Sequence, residues 1–358
     1  MQNQRIKELK AYMEKSEIEC VIIAKPENVY YYSGFTGSAG ALIIATDRQE
    51  LITDFRYVAQ AGEQSPHFKV EKTTKGVLKE IGELIDKERY NVVALEKKHL
   101  SYDAVKELTE TFSTEVQLES IDEKIMEFRS IKDAREQELL KQSAALTDEA
   151  FTHILNFAKE GMQEADIALE LEFFMRKRGA TGPSFPYIVA SGPRSALPHG
   201  VATNKKINSG EVITLDFGCM YKRHASDMTR NIVVGTPTER HKEIYHIVLE
   251  AQEAALNSIK PGMKASGLDQ VARRIITDAG YGEYFGHGLG HGIGLNVHEN
   301  PSVSPRSEGV LKPGMVISVE PGIYLPNLGG IRIEDVVLIE EDGYENLTKS
   351  SKELISLG

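Results

Sequence analysis

The chain has 358 residues, 41% of them hydrophobic and 27% charged, with a formal net charge of −11. That length suits one large or two medium domains with ample core, and the acidic balance, with no basic run, argues against nucleic acid as a main partner. Two cysteines without CxxC spacing and no run of eighteen apolar residues exclude a thiolate zinc site, a disulfide framework and a transmembrane helix.

The N-terminus is amphipathic, with Ile6, Leu9, Met13 and Ile18 on a helical stripe and no apolar signal core. The cytoplasm is therefore the expected compartment, with no membrane partner. Residues 1–128 read as a separate mixed α/β domain. Cys20 to Ala24 is a short buried strand, and Pro26 to Phe35 a turn followed by an aromatic stretch. Ala41 to Thr46 and Glu50 to Phe55 flank Asp47-Arg48-Gln49 as a hairpin. A helix around Val77 to Ile85, a strand over Asn91 to Glu96, a helix over Tyr102 to Phe112 and a strand over Glu115 to Ser120 follow. A domain boundary falls near Ile125 to Ile131, so that residues 129–358 form the second domain. Asp133 with Glu136 is a capping-box start. It opens a long helix to about Lys159, and a second helix runs from about Glu164 to Arg178.

After a Gly- and Pro-rich loop, Thr181 to Gly200, comes the first of two related hairpins. Glu211 to Gly218 (EVITLDFG) and Asp227 to Gly235 (DMTRNIVVG) read as antiparallel strands joined by a short bridge. Asp216 closes one arm and Asp227 opens the other. The same plan then recurs. Helices over about Glu239 to Ile259 and Ser266 to Ala279 lead to a second Gly-rich loop, Phe285 to Pro301. A second hairpin follows, with MVISVEPGIY after Gly314 and IRIEDVVLIE from Ile331 to Glu340. In both copies an acid follows a glycine by six residues and precedes another by two, so Asp216 matches Glu320, and Glu334 matches Asp227.

Four carboxylates gathered at one centre would repel one another by several kcal/mol unless cations intervened, and two divalent ions balance their charge. With at least one imidazole the donor set is hard and oxygen-rich. It suits manganese, while cobalt, iron or zinc would also fit and calcium would not. His291 in GHGIG and His287 four residues earlier are both candidates, and spacing does not choose between them. Two cations about 3.5–4 Å apart generate hydroxide and polarise a carbonyl. A glutamate with a free oxygen can take a proton, and the remaining histidines can serve an oxyanion or a leaving amine. This describes hydrolysis of an amide. Arg332, two residues before Glu334, either orients that glutamate or binds a substrate carboxylate, and otherwise is a surface arginine.

Together LPHG, LDFG with SDMTR, GHGLGHGIG, VHENP, VEPGIY and GIRIED resemble the proline-specific pita-bread metallopeptidases, the Xaa-Pro dipeptidases (prolidases) and Xaa-Pro aminopeptidases. NVYYYSGF and LITDFRY are similar to that family's N-terminal domain. The resemblance implies an α+β chain in which a creatinase/prolidase-like α/β domain precedes a pseudo-two-fold domain of curved antiparallel sheet with outer helices. It implies Asp216, Asp227, His291, Glu320 and Glu334 as ligands of two divalent metal ions, manganese foremost, with Co(2+) or Zn(2+) as alternatives. It implies His199, His287, His298 and Glu320 as catalytic residues, with Glu320 the general base; Arg332, read from its place on the strand, joins them. A homodimer acting on short proline-containing peptides is implied too. The chain's length points to a dipeptidase. An Xaa-Pro aminopeptidase, a methionine aminopeptidase and a non-catalytic peptide-binding relative are the alternatives. One departure is Arg223-His224, where the family pattern has Gly-Tyr or similar.

Overall fold

The computed structural model describes residues 2–358, which fold as two compact units, one up to Phe128 and the other from Arg129 to Gly358. The first holds six strands: β1 (Cys20–Ile23), β2 (Ala41–Ala45), β3 (Gln49–Thr53), β4 (Lys69–Lys72), β5 (Val92–Leu95) and β6 (Gln117–Ser120). They form one mixed sheet ordered β4-β3-β2-β1-β5-β6. Its β1–β2–β3 meander is antiparallel, and the flanking pairs are parallel. The central strands are apolar throughout because helices pack on them, as in other covered sheets. Cys20 is fully buried there.

Pro26 to Phe35 departs from the expected turn: Pro26–Ser33 is a helix ended by Gly34 at φ 80°. Proline at a first helical position lacks only an amide that would be unpaired anyway, so it starts the helix well. Tyr31 and Tyr32 enter the core from it. The helix Val58–Gln64, the strand β4 and the helix Asp122–Ser130 carried no strong sequence pattern.

In the second unit the helix Ala134–Phe157 begins with the Asp133/Glu136 capping box. The helix Glu164–Lys177 follows, and Glu239–Ser258 and Ala265–Asp278 repeat the pair. The strands are β7 (Ala180–Pro183), β8 (Ile188–Ser191), β9 (Val212–Phe217), β10 (Cys219–Tyr221), β11 (His224–Ala225) and β12 (Met228–Val234) in the first half. In the second half they are β13 (Gly290–Gly292), β14 (Glu299–Val303), β15 (Val316–Val319), β16 (Gly322–Leu325), β17 (Gly329–Arg332), β18 (Asp335–Glu340) and β19 (Gly343–Asn346), with β20 (Ile355–Leu357) at the C-terminus. The runs β8-β9-β12 and β13-β15-β18 are antiparallel in the same order, so the duplication visible in the sequence is also one of topology. The expected pita-bread class holds: paired helices cover antiparallel strands in each half.

The two hairpins differ at the acids. β9 runs unbroken through Asp216, whereas Pro321 interrupts the second hairpin after Glu320. Its far arm breaks at Ile333 and Glu334, so each expected long strand becomes two. Proline has no amide for the ladder, so pairing stops where it enters. The bridge of the first hairpin is itself a small hairpin: Tyr221 pairs with His224 around Lys222 (φ 46°) and Arg223 (φ 69°).

Candidate metal centre

Asp216, Asp227, Glu320, Glu334 and His291 all line one cavity of about 920 Å³ in the second unit, together with His199, His287, His298 and Arg332. Strand alternation puts Asp216 on the inner face of β9, and Asp227 enters from the start of β12. Glu320 and Glu334 sit at the two breaks of the second hairpin. Asp227, His291 and Glu334 each offer a ligand atom within 4.8 Å of the others. His291 Nε2 lies 3.6 Å from Asp227 Oδ2 and 3.3 Å from Glu320 Oε1. Its Nδ1 is 3.0 Å from the Gly292 carbonyl, which commits that nitrogen as the donor and leaves Nε2 free to ligate. The glycines beside it are required by close approach. A Cβ on Gly290 would run into the Ser318 carbonyl, and one on Gly292 into the Asn300 carbonyl.

Three carboxylate oxygens, Asp216 Oδ1, Asp227 Oδ1 and Glu334 Oε1, are buried without a hydrogen-bond partner. Buried anionic oxygens left in that state are costly. Burial, followed by the charges of neighbouring carboxylates, pushes Asp227 and Glu334 well above the usual carboxylate range, and burial also raises Asp216. Glu320 goes the other way. Burial would raise it, but the His291 hydrogen bond and charge, aided by Arg332 and His287, pull it down to about 2. His291 rises correspondingly: burial opposes its charge, and the Glu320 carboxylate more than offsets this. Four acids therefore face Arg332 and a histidine whose charged form Glu320 favours. The shortfall of positive charge, the orphaned oxygens and the donor types all fit divalent cations.

Arg332 is buried, which removes the surface reading, and all three of its guanidinium nitrogens are engaged. It pairs with Asp216 Oδ2, donates from Nε to Thr229 Oγ1 at 3.0 Å and from Nη1 to the Pro198 carbonyl at 3.2 Å and Tyr324 Oη at 2.7 Å. Thr229 in turn donates to Glu334 Oε2 at 2.8 Å. Arg332 thus touches Glu334 only through Thr229 and holds Asp216 directly.

His287 Nε2 lies 2.8 Å from Tyr324 Oη, with its Nδ1 2.7 Å from the Gly288 carbonyl. That makes Tyr324 the donor to Nε2, and burial lowers the His287 pKa. His298 stacks edge-on against His291 at 4.3 Å, and both His298 and His199 are exposed on the cavity wall. Burial and the neighbouring His291 lower His298. Sequence reasoning missed Tyr324, Thr229 and Ser318, the last of which donates to Glu320 Oε1 at 3.1 Å and accepts from the His291 amide. The alternation Val316-Ile317-Ser318-Val319 was the one available signal: a lone hydroxyl in a buried strand.

A duplicated antiparallel unit that brings acids of both copies and a histidine into one cavity defines a class, and the chain belongs to metallopeptidase family M24, whose profile its residues 138–341 match. Residues 5–131 match the creatinase/prolidase N-terminal domain. The chain is 41% identical over 353 residues to the Xaa-Pro dipeptidase of Pyrococcus horikoshii, covering 99% of each. Its fold is similar to that of the Xaa-Pro dipeptidase from Bacillus anthracis, with a TM-score of 0.96 and 43% identity over the whole of both chains. The X-Pro aminopeptidase from Thermotoga maritima gives a TM-score of 0.90 at 38% identity, over 98% of this chain and 99% of that one. Chain length, taken above to favour a dipeptidase, therefore does not separate the two activities. No helix among the described residues is long and apolar enough to cross a membrane.

Proposed function

We propose that this metallopeptidase hydrolyses the Xaa-Pro bond of dipeptides and short peptides in the manner of a prolidase. The observation that carries the reading is the set of three orphaned buried carboxylate oxygens in a cavity shared with His291. Asp216, Asp227, His291, Glu320 and Glu334 would hold two divalent cations, manganese foremost. Cations bound there supply Lewis acidity toward a carbonyl and lower the pKa of water.

The chain's own groups do the rest. Glu320 borders the cavity with its Oε1 held by the Ser318 hydroxyl, and it is the group that accepts the proton of the attacking water. Arg332 and Thr229 fix Asp216 and Glu334, so neither can swing to satisfy itself elsewhere. His298 and His199, both exposed on the cavity wall, are placed to donate to the developing oxyanion and to the departing proline nitrogen. Burial disfavours charge on His287, and with Tyr324 donating to its Nε2 the ring keeps that wall in register. A homodimer and a cytoplasmic site of action complete the proposal, supported by family likeness.

The second reading is an Xaa-Pro aminopeptidase. It is favoured by the Thermotoga maritima aminopeptidase, which matches this chain over nearly its whole length. Turnover of matched Xaa-Pro and Xaa-Pro-Xaa peptides with manganese tests both. Cleavage of the dipeptides alone supports the prolidase, efficient tripeptide cleavage supports the aminopeptidase, and metal-loaded protein inert toward both ends the proposal.

A further inference from the structure

The loop that carries His199 leaves β8 at Ser191 and returns at Thr203, passing through a short 3-10 turn over Gly192–Ala196. An excursion of this length is free to wander unless its neck is closed. One side chain closes it. Glu164, at the first position of its helix, is fully buried. Its Oε1 accepts from the Ser191 amide at 2.8 Å and the Ser191 hydroxyl at 2.9 Å. Its Oε2 accepts from the Thr203 amide at 3.1 Å and the Thr203 hydroxyl at 2.7 Å, and also pairs with Arg194. Arg194 lies inside the loop and donates to the Val201 carbonyl at 3.0 Å. One carboxylate therefore binds both ends of the excursion and its interior, and its lone pairs are all used.

The device recurs behind the other two histidines outside the ligand set. Asp269 accepts from the Leu289 amide at 3.0 Å and pairs with Arg273, which donates to the carbonyl of His287 at 2.7 Å. Glu299 accepts from the Asn296 amide at 3.0 Å and pairs with Arg129.

We infer that Glu164 is a positioning residue for His199: its buried carboxylate locks the Ser191–Thr203 loop so that the imidazole faces the cavity. This rests on the peptidase reading for its kinetic consequence, and on geometry alone for its structural one. Gln at position 164 would place an amide NH2 against amide, hydroxyl and guanidinium donors, and Asp would fall short of the neck by one methylene.

The test is a double-mutant cycle in the manganese-loaded full chain on an Xaa-Pro dipeptide, with Glu164→Gln, His199→Ala and both together. Glu164→Gln is expected to lower kcat/KM at least tenfold, and to cost less than about threefold more once His199 is gone. Equal losses in both backgrounds, or no loss in the wild-type background, overturn the inference. Arg194→Gln and Thr203→Val break the same neck more gently. They must show the same coupling if Glu164→Gln does not fold. The His199 ring signal in histidine-labelled protein, assigned with His199→Ala, gives a readout independent of turnover. It must shift or broaden in the neck variants, and an unchanged signal overturns the inference. Wild-type protein inactive on every Xaa-Pro peptide, with the ring signal still moved, would sink the peptidase reading and leave the positioning role standing.

Discussion

Glu334→Gln is expected to make the metal-free protein more stable, although it removes a buried polar group's charge from the heart of the fold. Glu334 and Asp227 present oxygens within 4.8 Å of each other. At an effective dielectric of about 20, two like charges at that separation repel by about 3.5 kcal/mol. The wild type meets this either by holding the anion or by binding a proton, and burial with the Glu320 and Asp216 charges lifts Glu334 well above the usual carboxylate range. Gln keeps the shape and the acceptor for Thr229 while removing the charge. A gain of about 2–3 kcal/mol at pH 8 in chelator follows, or roughly 5–10 °C in Tm for a domain of this size. The sign with pH is fixed. A raised folded-state pKa gives stability that is complete below the unfolded pKa, about 4.3, and is lost as pH rises through the folded value. The advantage of the variant should therefore be absent near pH 4 and grow toward pH 8. Added manganese should raise the wild-type Tm and reverse the order. Thermal unfolding at both pH values, with and without metal, measures all of this. A variant that melts at or below the wild type at pH 8 in chelator would mean that Glu334 bears no like-charge burden, and the inferred cation site would go with it.

Chelation should abolish Xaa-Pro hydrolysis and manganese restore it; activity that survives exhaustive dialysis against chelator contradicts the proposed chemistry. Tyr324→Phe takes the donor from His287 Nε2 and a partner from Arg332, so a fall in kcat of about tenfold, with a small change in KM, is expected from steady-state kinetics. Glu299→Gln breaks a buried pair with Arg129 and should cost about 3 kcal/mol at pH 7 in urea unfolding. Although burial opposes it, the Lys132 and Arg129 charges hold Glu299 below its ordinary value, so its contribution is present above the unfolded pKa and lost as pH falls through the folded one; the deficit should shrink in acid. Arg223→Gly relieves a left-handed residue in the tight turn after β10 and should raise the urea midpoint by an amount equivalent to about 0.5–1 kcal/mol with unchanged kinetics; an equal or lower midpoint refutes the strain.

The sequence by itself carried the duplication, the strand character of both hairpins and the four matched acids. It also carried the long helices and the Asp133 cap. These are local signals: alternation, glycine punctuation and a charge where an apolar strand should have none. Tertiary structure decided the rest. Pro26 begins a helix instead of a turn because the core behind it takes Tyr31 and Tyr32. Arg332 holds Asp216 instead of Glu334, although it is two residues from the glutamate and 116 from the aspartate. Glu164 looked like any acid opening a helix, yet it closes a loop more than twenty-five residues onward. Such partners are chosen by how strands and loops cross in space, and no periodicity in the chain records a contact made at that distance.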